Sequence, residues 1–111
     1  MDCLFCKIVA GEIPSDRVNE DDSFIAFRDI DPQAPTHILV IPREHVRSLA
    51  EADDPSMLGR MMEFVRATAA AQGLAEDGYR VVINVNEQGG QLVFHIHVHI
   101  LGGRQLQWPP G

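Results

Sequence analysis

Phe94-His95-Ile96-His97-Val98-His99-Ile100 is the stretch that decides how this chain is read. Successive side chains of a β-strand point to opposite faces. A strand over Leu92–Leu101 puts Leu92, Phe94, Ile96, Val98 and Ile100 on one face, where they can cover a core. His95, His97 and His99 then share the other, about 7 Å apart along the strand. The chain has only five histidines, so three in strict alternation are poorly explained as a generic polar surface. Two chemistries fit. Histidines two apart on a strand can ligate one metal ion, or one imidazole can act as a nucleophile with its neighbours as phosphate ligands or proton donors. Spacing alone does not separate them.

Outward from that strand, the elements follow from periodicity and punctuation. Leu4, Phe5, Ile8 and Val9 recur at helical spacing over Leu4–Ala10, and Gly11 and Pro14 stop the pattern. Arg17–Asn19 and Ser23–Arg28 read as a hairpin around Glu20-Asp21-Asp22. His37–Ile41 is a β-branched strand ending at Pro42. Asp53-Asp54-Pro55-Ser56 offers an N-cap and a proline at the first helical position. Met57, Leu58, Met61, Met62, Val65 and Ala69 follow at helical spacing, with Gly73 as the C-cap. Tyr79–Asn86 is predicted as a strand, joined to Leu92–Leu101 by the turn Glu87-Gln88-Gly89-Gly90. The stretch from Gly102 to Gly111 is too rich in glycine and proline for regular structure. The order predicts an α+β fold: a five-stranded antiparallel sheet with one long and one short helix. No repeat, low-complexity tract or linker divides residues 1–111, which read as a single domain.

Bulk properties narrow the function. Sixteen acidic residues against nine basic ones give a formal charge of −7. Nucleic-acid polymers are bound largely through neutralised phosphates, so this balance argues against them. A small phosphorylated ligand stays open, because a few backbone N–H groups and imidazoles can hold one phosphate. No apolar run approaches the ~20 residues needed to cross a bilayer, and Met1–Cys6 lacks the basic-then-apolar pattern of a signal peptide. The expectation is a cytoplasmic protein without a membrane partner. In a reducing compartment, Cys3-x-x-Cys6 is a metal-ligand pair, a redox pair or two small buried residues.

Several segments, taken in chain order, resemble one family. They are Phe27-Arg28-Asp29-Ile30-Asp31-Pro32-Gln33-Ala34-Pro35-Thr36-His37, then Val40-Ile41-Pro42 with His45, then Gly89-Gly90-Gln91. His95-Ile96-His97-Val98-His99, Ile100-Leu101-Gly102-Gly103-Arg104-Gln105 and Trp108-Pro109-Pro110-Gly111 complete the series. The chain resembles the histidine-triad (HIT) superfamily from Leu4 to Gly111, and within it the HINT branch of nucleoside phosphoramidate hydrolases.

The resemblance implies hydrolysis of purine nucleoside 5′-phosphoramidates, with AMP or GMP released through a nucleotidyl-histidine on His97. His99 would contact the phosphate and manage the proton of the leaving amine; His37 would face the same phosphate, and His95 completes the triad. Asn84 would bond the scissile region, and Gly90, Gln91 and Leu92 would bring backbone N–H groups to the phosphate. Leu92 stands where a serine is common, which removes a hydroxyl contact. Asp29 would accept hydrogen bonds from the ribose, while Leu4, Phe5, Ile8, Ile13, Phe27 and Ile30 would sandwich the base.

No cofactor is required for that catalysis. Relatives that carry a structural zinc imply the ligand set Cys3, Cys6, His45 and His95; the competing reading is two buried thiols without metal. The family also implies a homodimer whose sheets join into ten continuous strands, with the tail near Trp108 reaching the partner's site. Competing functions are a nucleotide-binding regulator without turnover, a dinucleoside polyphosphate hydrolase and a metalloenzyme using the three strand histidines.

Overall fold

A computed structural model describes residues 2–111. The chain opens with helix α1 (Leu4–Val9), capped by Cys3, whose Sγ accepts from the Cys6 amide at 3.3 Å. Strands β1 (Arg17–Glu20) and β2 (Phe24–Arg28) form the expected hairpin. Its turn is set by Asp21, whose carboxylate accepts from the amides of Ser23 and Phe24 at 2.7 and 2.8 Å. Strand β3 (Thr36–Pro42), helix α2 (Pro55–Ala71), strand β4 (Tyr79–Val82), helix α3 (Asn86–Gly89) and strand β5 (Val98–Gly102) follow. All pairings are antiparallel, in the order β1-β2-β3-β5-β4. This is the α+β architecture expected from the sequence, with the four-residue α3 added. Among the described residues, no helix is long and apolar enough to cross a membrane.

The central strands β2 and β3 read as unbroken apolar runs because both of their faces are covered. Phe24, Ala26, Ile38 and Val40 pack with Met57, Met61, Phe64 and Val65 of α2. Ile25, Phe27, Leu39 and Ile41 pack on the opposite face with Phe5 and Ile8 of α1. Ile96, Val98 and Ile100 join the α2 side, so His97 and His99 fall on the α1 side by alternation.

Helix α2 begins as the sequence suggests. Asp54 accepts from the amides of Ser56 and Met57 at 3.0 and 3.2 Å, ahead of Pro55. Asp54→Ala is expected to lower unfolding stability by about 1 kcal/mol, read from urea denaturation. An unchanged midpoint would mean that tertiary packing alone sets this helix end.

Two expectations are corrected. Strand β5 begins at Val98 rather than Leu92, and Leu92 and Phe94, expected over the core, are 89% and 37% exposed. The lead-in is pinned elsewhere: the Ile96 amide donates to the Val46 carbonyl at 2.7 Å, and the His95 ring bonds the Pro42 carbonyl at 2.8 Å. It therefore follows the loop after β3 instead of a ladder. Likewise β4 stops at Val82, and the residues expected as strand end and turn form α3. Gln91 closes this segment, its side-chain oxygen accepting from the Asn86 amide at 2.8 Å and its own amide donating to the Asn86 carbonyl at 3.0 Å. The clamp requires left-handed backbone at Asn86 (φ 59°) and Gly90 (φ 82°), conformations that asparagine and glycine tolerate best.

Candidate active site and metal centre

Strand register brings three histidines into two adjacent layers. His37 pairs with Leu101 and Leu39 with His99, so His37 and His99 are diagonal neighbours on the α1 face of β3 and β5. Their ring centroids lie 5.1 Å apart, and those of His97 and His99 also 5.1 Å.

Hydrogen-bond partners assign the tautomers. The Gln33 amide can only donate, and it reaches His37 Nδ1 at 3.0 Å, so the proton of neutral His37 sits on Nε2. That Nε2–H donates to His99 Nδ1 at 2.8 Å, with an Asp29 carboxylate oxygen farther off at 3.4 Å. Neutral His99 therefore carries its proton on Nε2, a buried atom with no partner among the described residues. At His97 the logic runs the other way. Its Nδ1 lies 2.8 Å from the His95 carbonyl, which can only accept, so Nε2 keeps its lone pair. A pinned imidazole with a free Nε2 thus stands beside an unpaired N–H donor.

Electrostatics hold the set neutral. Burial lowers the His97 pKa, against the hydrogen bond to the His95 backbone and the Asp29 charge, which raise it. Burial also lowers His37, opposed by Asp29 and Asp31. His99 is held down to about 4, first by burial and then by the neighbouring His97 and His37.

The unfolded chain titrates such a group near its ordinary 6.5. As pH falls below that value, the unfolded state binds more protons than the folded state, so stability falls. Below about 4 this contribution levels off, because the folded group is then protonated too. Thermal melts of metal-free protein are expected to show stability declining through this window. A flat profile would contradict a neutral relay.

The first triad histidine faces a different cluster. His95 donates from Nε2 to the Pro42 carbonyl at 2.8 Å, leaving the Nδ1 lone pair free. Around that Nδ1 lie Cys3 Sγ at 3.5 Å, Cys6 Sγ at 3.6 Å and His45 Nδ1 at 3.3 Å, while Cys6 Sγ is 3.4 Å from His45 Nδ1. All four donor atoms lie within 4.8 Å of one another. A tetrahedron with the usual zinc–nitrogen and zinc–sulfur bond lengths has edges of roughly 3.3 Å between nitrogens and roughly 3.5 Å between nitrogen and sulfur. The four measured edges match, so the residues fit a closed tetrahedral ion. Without metal, the Cys6 thiol is pushed above its ordinary range by burial and by Cys3, so loading such an ion would release protons. Asp29, His37 and His99 are also close enough to group around an ion. There, however, both facing nitrogens are committed to one hydrogen bond, and a metal would have to strip the His37 proton.

The remaining predicted residues divide by exposure. Phe5, Ile8 and Phe27 are buried beneath the site, Ile13 is half-buried, and Leu4 and Ile30 open to solvent, Ile30 almost fully. Asp29 accepts from the Asp31 amide at 2.8 Å. Asn84, expected in a strand, stands half-buried in the connection between β4 and α3. The amides of Gly90 and Gln91 are already donated to Glu87 and Asn86, and the Gln91 side chain is committed to Asn86, Arg47 and Val93. The Leu92 amide has no partner among the described residues. Gln33 and Pro42 were not anticipated in the site. Both act through the backbone, which leaves no mark in residue identity.

The three-histidine segment on this sheet defines the class of domain. Residues 10–106 match the HIT domain. A 14 kDa zinc-binding protein of Zea mays is 53% identical over 97% of this chain and 87% of its own. Among solved structures, a HIT family hydrolase from Legionella pneumophila superposes with a TM-score of 0.96 at 54% identity, covering 99% of this chain and 100% of that one. A histidine triad nucleotide-binding protein from Candida albicans gives a TM-score of 0.85 at 31% identity, covering 99% and 85%. The chain belongs to the HIT domain family.

Proposed function

We propose that this chain is a purine nucleoside 5′-phosphoramidate hydrolase of the HINT branch. The observation that carries this reading is the His97 imidazole, pinned at Nδ1 with Nε2 free, beside the unpaired Nε2–H of His99. His97 Nε2 attacks the α-phosphorus and displaces the amine, forming a nucleotidyl-imidazole. Water then attacks the same phosphorus and releases the nucleoside monophosphate.

His99 donates its Nε2–H to a phosphate oxygen. An anion placed there raises its pKa from about 4, so the His37–His99 relay takes up a proton with substrate and delivers it to the leaving nitrogen. Asp29 accepts the ribose hydroxyls and Asn84 bonds the scissile region. The Leu92 amide donates to phosphate from the Gly90–Gln91 turn, and the two residues before it hold that turn in place. Leu4, Ile13 and Ile30 border the base over the buried floor of Phe5, Ile8 and Phe27. No cofactor takes part in the chemistry.

The same reading puts a structural zinc on Cys3, Cys6, His45 and His95, supported by the matching donor edges and by the name of the maize relative. When bound, it ties α1 and the loop after β3 to the lead-in of β5. Residues 1–111 act as one cytoplasmic domain and pair through the open β4 edge, where Val81 is exposed, and through the exposed Met62 of α2. That pairing gives a homodimer with a continuous ten-stranded sheet.

Adenosine 5′-phosphoramidate, with diadenosine polyphosphate in parallel, tests the reaction class. AMP from the first and little product from the second is expected. Preferential cleavage of the polyphosphate would move the protein to another branch. AMP binding without turnover of either would make it a nucleotide-binding regulator.

A further inference from the structure

The two clusters of the site are not independent. His95 belongs to both: its ring faces Cys3, Cys6 and His45, while its carbonyl holds the His97 Nδ1 at 2.8 Å. A second link runs through Phe5, which lies between the two cysteines on α1. Its ring stands edge-on to His97 at 5.0 Å and to His95 at 5.9 Å between centroids, and packs against Phe27 at 5.7 Å. Phe5 is 4% exposed, and a close-packed ring cannot shift without displacing what it touches. The cysteines are reachable from outside. Cys6 is half-buried, and a cavity of about 410 Å³ lined by Cys3, Leu4, His45 and Leu92 opens beside the cluster.

We propose that Cys3 and Cys6 form a peroxide-sensitive control on His97: oxidation of the pair to a disulfide dissolves the four-donor cluster and unseats the imidazole through Phe5. One sulfur attacks hydrogen peroxide, giving a sulfenic acid and one water. The second sulfur displaces that hydroxyl, closing the S–S bond and releasing a second water. Each sulfur loses one electron and the peroxide gains two. Starting from thiols, the two S–H protons leave in the waters. Starting from metal-bound thiolates, two protons come from solvent and the cation leaves with its sulfur ligands gone.

The bond requires a sulfur separation of about 2.05 Å, which removes both sulfurs as separate donors to an ion shared with His45 and His95. Cys3 Sγ also caps the Cys6 amide at 3.3 Å in the open form, so closure acts on the same turn of α1 that carries Phe5. A readjustment of that turn would carry Phe5, and with it the packing on His97.

The activity arm of the test rests on the phosphoramidase reading, so the experiment includes a readout that does not. Zinc-loaded, reduced protein is treated with hydrogen peroxide and followed by mass spectrometry of the cysteines, zinc release to a chromogenic chelator, imidazole ¹H–¹⁵N resonances of His97, and turnover. The expected result is disulfide formation with shifted His97 resonances and a roughly tenfold or greater loss of turnover, reversed by dithiothreitol and Zn²⁺. A disulfide that leaves the His97 resonances unmoved overturns the proposal, as does peroxide treatment that yields no disulfide. Reduced protein that turns over nothing, while its His97 resonances still respond, counts against the phosphoramidase reading alone. Phe5→Leu separates the route: it is expected to keep the zinc stoichiometry and form the disulfide, with a much smaller His97 response. A full response in that variant removes Phe5 from the proposal.

Discussion

His97→Ala is expected to lower phosphoramidate turnover by about 10⁴-fold or more, with AMP affinity held within about threefold. The asymmetry follows from position. In the proposed reaction His97 would supply the atom that bonds phosphorus, but its ring lies buried at the level of Phe5, below the exposed apolar border of the site. Ground-state binding would rest mainly on Asp29, the Leu92 amide and the apolar residues around the base. Truncation also removes packing against Phe5, so the melting temperature must accompany the rates. The variant is informative only while it remains folded. Retained turnover in folded His97→Ala would eliminate the covalent route, because neither other histidine of the strand segment combines a pinned Nδ1–H with a free Nε2 lone pair. Single-turnover experiments on the parent protein provide an independent check: acid quench should trap a nucleotidyl adduct on His97.

Cys3→Ser combined with Cys6→Ser is expected to abolish zinc binding and to lower stability by about 4 kcal/mol, the linkage contribution of a ligand present at about a thousandfold over its dissociation constant. For a chain of 111 residues this corresponds to a melting temperature lower by roughly 15 °C. The four donors come from the start of α1, the loop after β3 and the lead-in to β5, segments otherwise joined in this region by the Ile96–Val46 backbone bond, the His95–Pro42 hydrogen bond and side-chain packing. Losing an ion shared by these donors would thus loosen three segments together. Metal analysis of the parent protein and paired melts with and without chelator measure the effect. Full stability in the double variant, with no zinc bound to the parent, would leave the cysteines as buried thiols.

Much of the fold was legible because local signals agreed with one another. The alternation Ile96-His97-Val98-His99-Ile100, the Asp54-Pro55 helix start and the Asp21 turn each have a short-range physical cause, and the structure retains all three. The misreadings lie where a segment answers to something distant. Leu92 and Phe94 continue the strand's alternation on paper, yet their backbone is drawn to the loop after β3. Gly90 and Gln91 look like an open phosphate turn, but their amides are spent on closing α3. A polar side chain such as that of Gln91 shows no preference in the sequence between a ligand and its own loop.

By itself, the sequence determined an antiparallel α+β chain with histidines segregated to one sheet face, because strand alternation and helix capping act over a few residues. Only the tertiary structure decided what each histidine could do. A tautomer depends on the groups brought against the two ring nitrogens, and those groups are distant in sequence: the Pro42 carbonyl for His95, and His37, set by the Gln33 amide, for His99. The division of three equivalent-looking imidazoles into a cysteine-facing ring, a free Nε2 and an unpaired donor therefore arises from tertiary packing around β3 and β5.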